Sequence, residues 1–209
     1  MFEYEKALEF FTLAARINEQ INSELQEQDP VPYIAIGKTY SQQGEFFAAA
    51  LNMSRAVAIN PSDPDLYGRL GIVYYKARNY ESAIPVLRCA VEGCSEAEST
   101  AILCDLGYSD CDLQVTSGLM TGRNVLGLEL ANSSVEYYYT YASALAFYSG
   151  TDVAPNGCAE ADILHQKLLG LFALDSIVSA IVDEKRAICA NIGVDGGTPQ
   201  AEPTATTMP

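Results

Sequence analysis

Residues 30–63 and 64–97 align without a gap, so the chain repeats itself with a period of 34 residues. Tyr33 pairs with Tyr67, Ile36 with Leu70, Gly37 with Gly71 and Tyr40 with Tyr74. Phe46 then pairs with Tyr80, Ala49 with Ala83, Met53 with Leu87 and Ala56 with Ala90. Self-similarity at this period implies one supersecondary unit stacked on its own copy. Each unit opens on Asp-Pro (Asp29-Pro30 and Asp63-Pro64), an N-cap followed by a proline in the first turn, where its missing N–H is harmless. Gly37 and Gly71 then fall inside a helix, at a cost of about 1 kcal/mol each relative to alanine. That cost is tolerable where a second helix packs on the bare backbone. The register therefore predicts two helical hairpins that close on their glycines.

The same register disposes of a nucleotide site. Gly37-Lys38-Thr39 has the ending of a phosphate-binding loop, but that loop needs a glycine where Pro32 stands. Proline fixes φ and has no N–H to offer a phosphate.

These residues resemble the tetratricopeptide repeat (TPR): a large residue at position 4, Leu/Ile-Gly at 7 and 8, Tyr at 11, an aromatic at 17, Ala at 20 and 27, Pro at 32. The resemblance implies an all-α fold, an α-solenoid of TPR helix hairpins with a C-terminal capping helix. Residues 30–63 and 64–97 are the two full repeats. Residues 1–29 hold the second helix of a truncated repeat plus a connector, since Tyr4, Ala7, Phe11 and Ala14 fill the slots of Phe46, Ala49, Met53 and Ala56. The first helix of that repeat is missing, and truncation is the preferred reading.

Beyond residue 95 the register fails. Ser95 and Glu98 form a capping box and Gly107 a stop, so residues 98–134 are expected to carry a short helix followed by an irregular insertion. Residues 135–192 read as a degenerate repeat plus a last helix capped by Asp175. Residues 193–209, rich in Gly, Pro and Thr, are expected to be a disordered tail or linker.

In the family the first helices line a concave groove. The groove slots hold Val31, Ile34, Ala35, Lys38, Ser41 and Gln42 in one unit, and Asp65, Gly68, Arg69, Ile72, Tyr75 and Lys76 in the next. The ligand-groove candidates are Lys38, Ser41, Gln42, Arg69, Ile72, Tyr75 and Lys76. Three of the chain's twelve basic residues (Lys38, Arg69, Lys76) thus face one groove in a protein of net charge −15. Ordinary solvated charges would give the same pattern, but a peptide with acidic side chains or a free C-terminal carboxylate would be drawn there. Chaperone-tail recognition of the kind some TPR domains perform is not expected, because Asp65 stands where a lysine is needed. Tyr137 to Tyr139 and Tyr141 are read mainly as core, with one or two rings open to a partner.

The acidic balance also opposes binding to nucleic acid or anionic lipid. No apolar run reaches the roughly 18 residues a membrane helix needs, so membrane insertion is not expected. Catalytic residues, metal ligands and cofactors are none. The single histidine, His165, falls on a core-facing slot and is read as a hydrogen-bonded core residue. The acids Asp105, Asp110 and Asp112 lack the alternation of a calcium loop.

Six cysteines, without a Cys-x-x-Cys pair, argue against zinc. Cys158 begins one helix and Cys189 ends the next. At ~1.5 Å per residue they lie about 24 and 22 Å from the intervening turn, so antiparallel packing brings them level and a disulfide is expected. Cys89, Cys94, Cys104 and Cys111 allow three pairings. The C-terminal part also resembles secreted or surface bacterial TPR proteins with paired cysteines, which implies an extracytoplasmic location, with the N-terminus missing, over a cytoplasmic one. The function expected is a non-catalytic scaffold for protein–protein or protein–peptide interaction. The alternative is a structural spacer or assembly module of a larger extracytoplasmic bacterial protein without a discrete ligand.

Overall fold

Helix follows helix along nearly the whole course of the described residues. In the computed structural model, which describes residues 2–108 and 121–192, the order is α1 (Phe2–Ile21), a 3-10 turn (Leu25–Glu27), α2 (Val31–Gln43), α3 (Phe46–Ile59), α4 (Pro64–Lys76), α5 (Tyr80–Glu92), β1 (Gly93–Cys94), α6 (Glu96–Asp105), β2 (Val125–Leu126), α7 (Val135–Phe147), α8 (Gly157–Phe172) and α9 (Ser176–Ile192). The fold class is all-α. The two strands amount to one two-residue antiparallel ladder, Gly93 opposite Leu126 and Cys94 opposite Val125. The chain divides into two compact units, residues 1–141 and 142–209, with the division inside α7.

In the first unit each helix from α1 to α5 packs on its neighbour in sequence. The reason is local. Asp63 caps α4 by accepting from the Asp65 N–H, with Pro64 at the first helical position. Asp29 accepts from the Val31 N–H at 2.9 Å in the same way, although α2 starts one residue later in its unit. Gly44 ends α2 in the left-handed region at φ 81°, a conformation that costs a side chain but not a glycine. The reversal between α2 and α3 is therefore tight, and Gly37 meets Met53 and the Ala49 carbonyl across the hairpin. Gly71 meets Leu87 in the next hairpin. Tyr67, Leu70, Leu87, Ala49 and Ala56 are fully buried, so the repeated positions form the core.

Glu98 and Ser95 make a reciprocal capping box at the start of α6, and Gly107 follows its end at φ 79°. Gly93, at φ 85°, and Gly127 cross so closely that a Cβ on either would strike backbone of the other strand's segment. Cys89 and Cys94 are disulfide-bonded with Cα atoms 4.8 Å apart, which fixes one of the pairings open in the sequence. Cys104 is also disulfide-bonded. Cys111 lies outside the described residues, as do Asp110 and Asp112 and the tail 193–209.

The second unit has α8 packed on α9. Asp175 caps α9 by accepting from the Ile177 and Val178 N–H groups. Cys158 and Cys189 are disulfide-bonded, Cα to Cα 5.6 Å, joining the first turn of α8 to the last turn of α9. Leu164, Leu168, Val178 and Val182 are buried.

Candidate functional site

Six of the seven groove candidates line one cavity of about 210 Å³: Lys38, Ser41 and Gln42 from α2, and Arg69, Ile72 and Lys76 from α4. Its apolar surface is completed by Met53 and Val73, and the first turn of α7 adds Glu136 and Tyr137. Tyr75, the seventh candidate, does not line the cavity. Its ring sits 5.5 Å from that of Tyr80, tilted by 53°.

Tyr137 is the residue that sequence reasoning did not place here. It is held from its own side by a chain of bonds. Leu128 N–H donates to the Ala90 carbonyl of α5, and Tyr138 hydroxyl donates to the Leu128 carbonyl at 2.6 Å. Ser134 hydroxyl donates to the Glu129 carbonyl and accepts from the Ala131 N–H, setting the turn into α7. Tyr137 then covers Gly68, where a Cβ would lie 2.8 Å from the ring. Its hydroxyl donates to Asp65 at 2.5 Å, and the other Asp65 oxygen accepts from Arg69 Nε at 2.6 Å. Burial, then the bond to Asp65, pushes the Tyr137 hydroxyl well above the ordinary phenol range, so it stays a donor.

Asp65 and Gly68, both assigned to the open groove from sequence, are therefore engaged by α7, and Arg69 is tied to Asp65 within α4. The signal was available: Gly68 occupies the slot that Ile34 fills in the preceding unit, and a missing side chain there admits a ring. Of the tyrosine patch, Tyr137, Tyr138 and Tyr141 are buried and Tyr139 is half-buried.

The consequence for chemistry is a division of labour among the cations. Arg69 is oriented and neutralised by Asp65, whereas Lys38 and Lys76 are exposed and have no ion-pair partner among the described residues. The cavity thus offers an apolar floor, two ammonium groups and one fixed guanidinium, with one carboxylate, Glu136, beside them. Replacing Tyr137 by phenylalanine is expected to cost about 1.5 kcal/mol by removing a bond to a partly exposed carboxylate, a loss of roughly 3–6 °C in a thermal melt. An unchanged melt would mean that Asp65 does not depend on that hydroxyl.

His165 is buried at 1 % exposure, and neither ring nitrogen has a hydrogen-bond partner among the described residues. The core placement matches the sequence reading; the expected hydrogen bond is not there. Burial, then the positive charge of Arg186, lowers its pKa below the usual 6.5, while Asp162 opposes this and Lys185 adds to it. The folded state therefore favours the neutral ring. Stability is fully present above the unfolded pKa of about 6.5 and is lost as pH falls below it, because the unfolded chain takes up the proton first. Melting temperature is expected to fall from pH 7 to pH 5, with a smaller slope in His165→Leu. Equal slopes would show that His165 does not set the dependence.

Among the described residues no cluster of three or more His, Cys, Asp or Glu is placed to hold a metal ion, and no helix is long and apolar enough to cross a membrane. Comparison of the chain with protein-family models, with curated proteins and with solved structures finds no match.

Proposed function

We propose that this chain is a non-catalytic scaffold of the TPR type, its hairpins stacked as a solenoid, that takes an acidic or C-terminal peptide segment of a partner protein into the cleft between α2 and α4. The observation that carries the reading is the convergence of Lys38, Ser41, Gln42, Arg69, Ile72 and Lys76 on one cavity. Two repeats that stack in register bring equivalent helix faces together, so residues 34 apart line one groove. Ile72, Val73 and Met53 accept an apolar side chain. Lys38 and Lys76 attract and hold the carboxylates beside it. Disulfides within both units support an oxidising, extracytoplasmic setting.

The test is selection from a randomised peptide library, followed by anisotropy titration of a selected peptide. Selected sequences are expected to be rich in Asp and Glu. The double variant Lys38→Glu/Lys76→Glu is expected to bind at least about tenfold more weakly, a loss of about 1.4 kcal/mol, with an unchanged melt. Affinity should also fall as salt rises. A library that yields no acidic preference, or a double variant with wild-type affinity, would refute the reading.

A further inference from the structure

We propose a second binding site, on the face of α2 opposite the groove, for a small anion that carries an aromatic or apolar body. The site is an open cavity of about 440 Å³ lined by α1, α2 and α3 and by Tyr108, which follows α6, within the size range of small-molecule pockets. Two arginines reach it, Arg16 from α1 and Arg55 from α3, against one carboxylate, Glu19. A chain with 12 basic and 27 acidic residues places a local excess of positive charge here.

Arg55 is already oriented. Its guanidinium lies 4.7 Å above the Tyr33 ring, and Nη2 is 3.0 Å from Glu19 and 3.3 Å from Gln28. Its Nε–H is buried without an acceptor among the described residues, so a ligand would meet the terminal guanidinium nitrogens rather than Nε. Fixing the fork in advance lowers the entropy lost on binding. Tyr33 also donates to Glu19 at 2.9 Å, which holds that carboxylate against Arg55 and leaves it less available to Arg16.

Arg16 distinguishes a site from a structural ion pair. It is exposed to the same cavity and has no ion-pair partner among the described residues. The Arg55–Glu19 pair would stand without it. Ile36 and Leu51 supply apolar wall and Tyr40 an aromatic one. Guanidinium groups recognise carboxylate and phosphate through the same planar fork, so the shared chemistry is an oxyanion joined to a flat or apolar group.

Phenyl phosphate and benzoate, titrated separately by calorimetry into the full chain, test this directly. Saturable binding of either one, weakened at least about tenfold by Arg16→Gln and unchanged by Lys38→Glu/Lys76→Glu, upholds the site. Whichever probe binds more tightly identifies a phosphate or a carboxylate ligand. No saturable binding of either below about 10 mM, a range equivalent to under 3 kcal/mol of affinity, would overturn the proposal. So would wild-type affinity in a well-folded Arg16→Gln. Because the groove variant is carried through the same titrations, failure here leaves the peptide site untouched, and the reverse.

Discussion

Replacing Gly71 by valine is expected to lower the melting temperature by about 6–12 °C, a loss of roughly 3 kcal/mol. A Cβ at this position would overlap Leu87 Cγ and lie 2.6 Å from its Cδ2. Leu87 has no room to retreat, because it is fully buried among the core residues of the second hairpin. Alanine would gain about 1 kcal/mol of helix propensity, but the same overlap opposes it, and valine adds two methyl groups to the clash. Gly170, inside α8, has nothing within 4 Å of a built Cβ. Gly170→Ala is therefore the contrasting control and should stabilise, by up to about 1 kcal/mol. A Gly71→Val melt equal to wild type would show that α4 and α5 do not close on this residue.

Loss of the Cys158–Cys189 bond is the second large effect. Its cysteines are 31 residues apart in sequence, and the chain-entropy relation gives about 3–4 kcal/mol for a loop of that length. The Cys89–Cys94 loop, with a separation of 5, is worth about 2 kcal/mol by the same relation. Cys158→Ser/Cys189→Ser should therefore melt well below Cys89→Ser/Cys94→Ser. Added reductant should destabilise wild type more than it destabilises the Cys158→Ser/Cys189→Ser variant. Thiol titration in denaturant without reductant should leave these four cysteines unreactive. If the two double variants melt together, the long loop does not carry the larger share.

Why some of this was legible in the sequence and some was not follows from the range of the interactions. Gly37 and Gly71 could be read because the same costly residue recurs at the same place in two units, and only a packed neighbour explains that. Cys158 and Cys189 could be read because helix rise converts sequence distance into height along an antiparallel pair. Both inferences are local to a hairpin. Tyr137 was harder to place, although the gap at Gly68 was visible: it meets Asp65 across 72 residues, and residues 98–134 between them have no period to carry a register. Tyr75 does not line the cavity, because a repeat slot fixes a helix face but not a rotamer, and its ring lies beside that of Tyr80. The β1–β2 ladder is two residues long and starts at Gly93 in positive φ, so it leaves no strand-like alternation to detect.

The proposed function requires that the partner enter the cleft between α2 and α4. A two-dimensional amide NMR titration of the full chain with a selected acidic peptide tests it most directly. The largest shifts are expected on Lys38, Ser41, Gln42, Ile72 and Lys76, and are expected to vanish in Lys38→Glu/Lys76→Glu. Shifts concentrated elsewhere, on residues that do not line this cavity, or shifts that persist in the double variant, would contradict it.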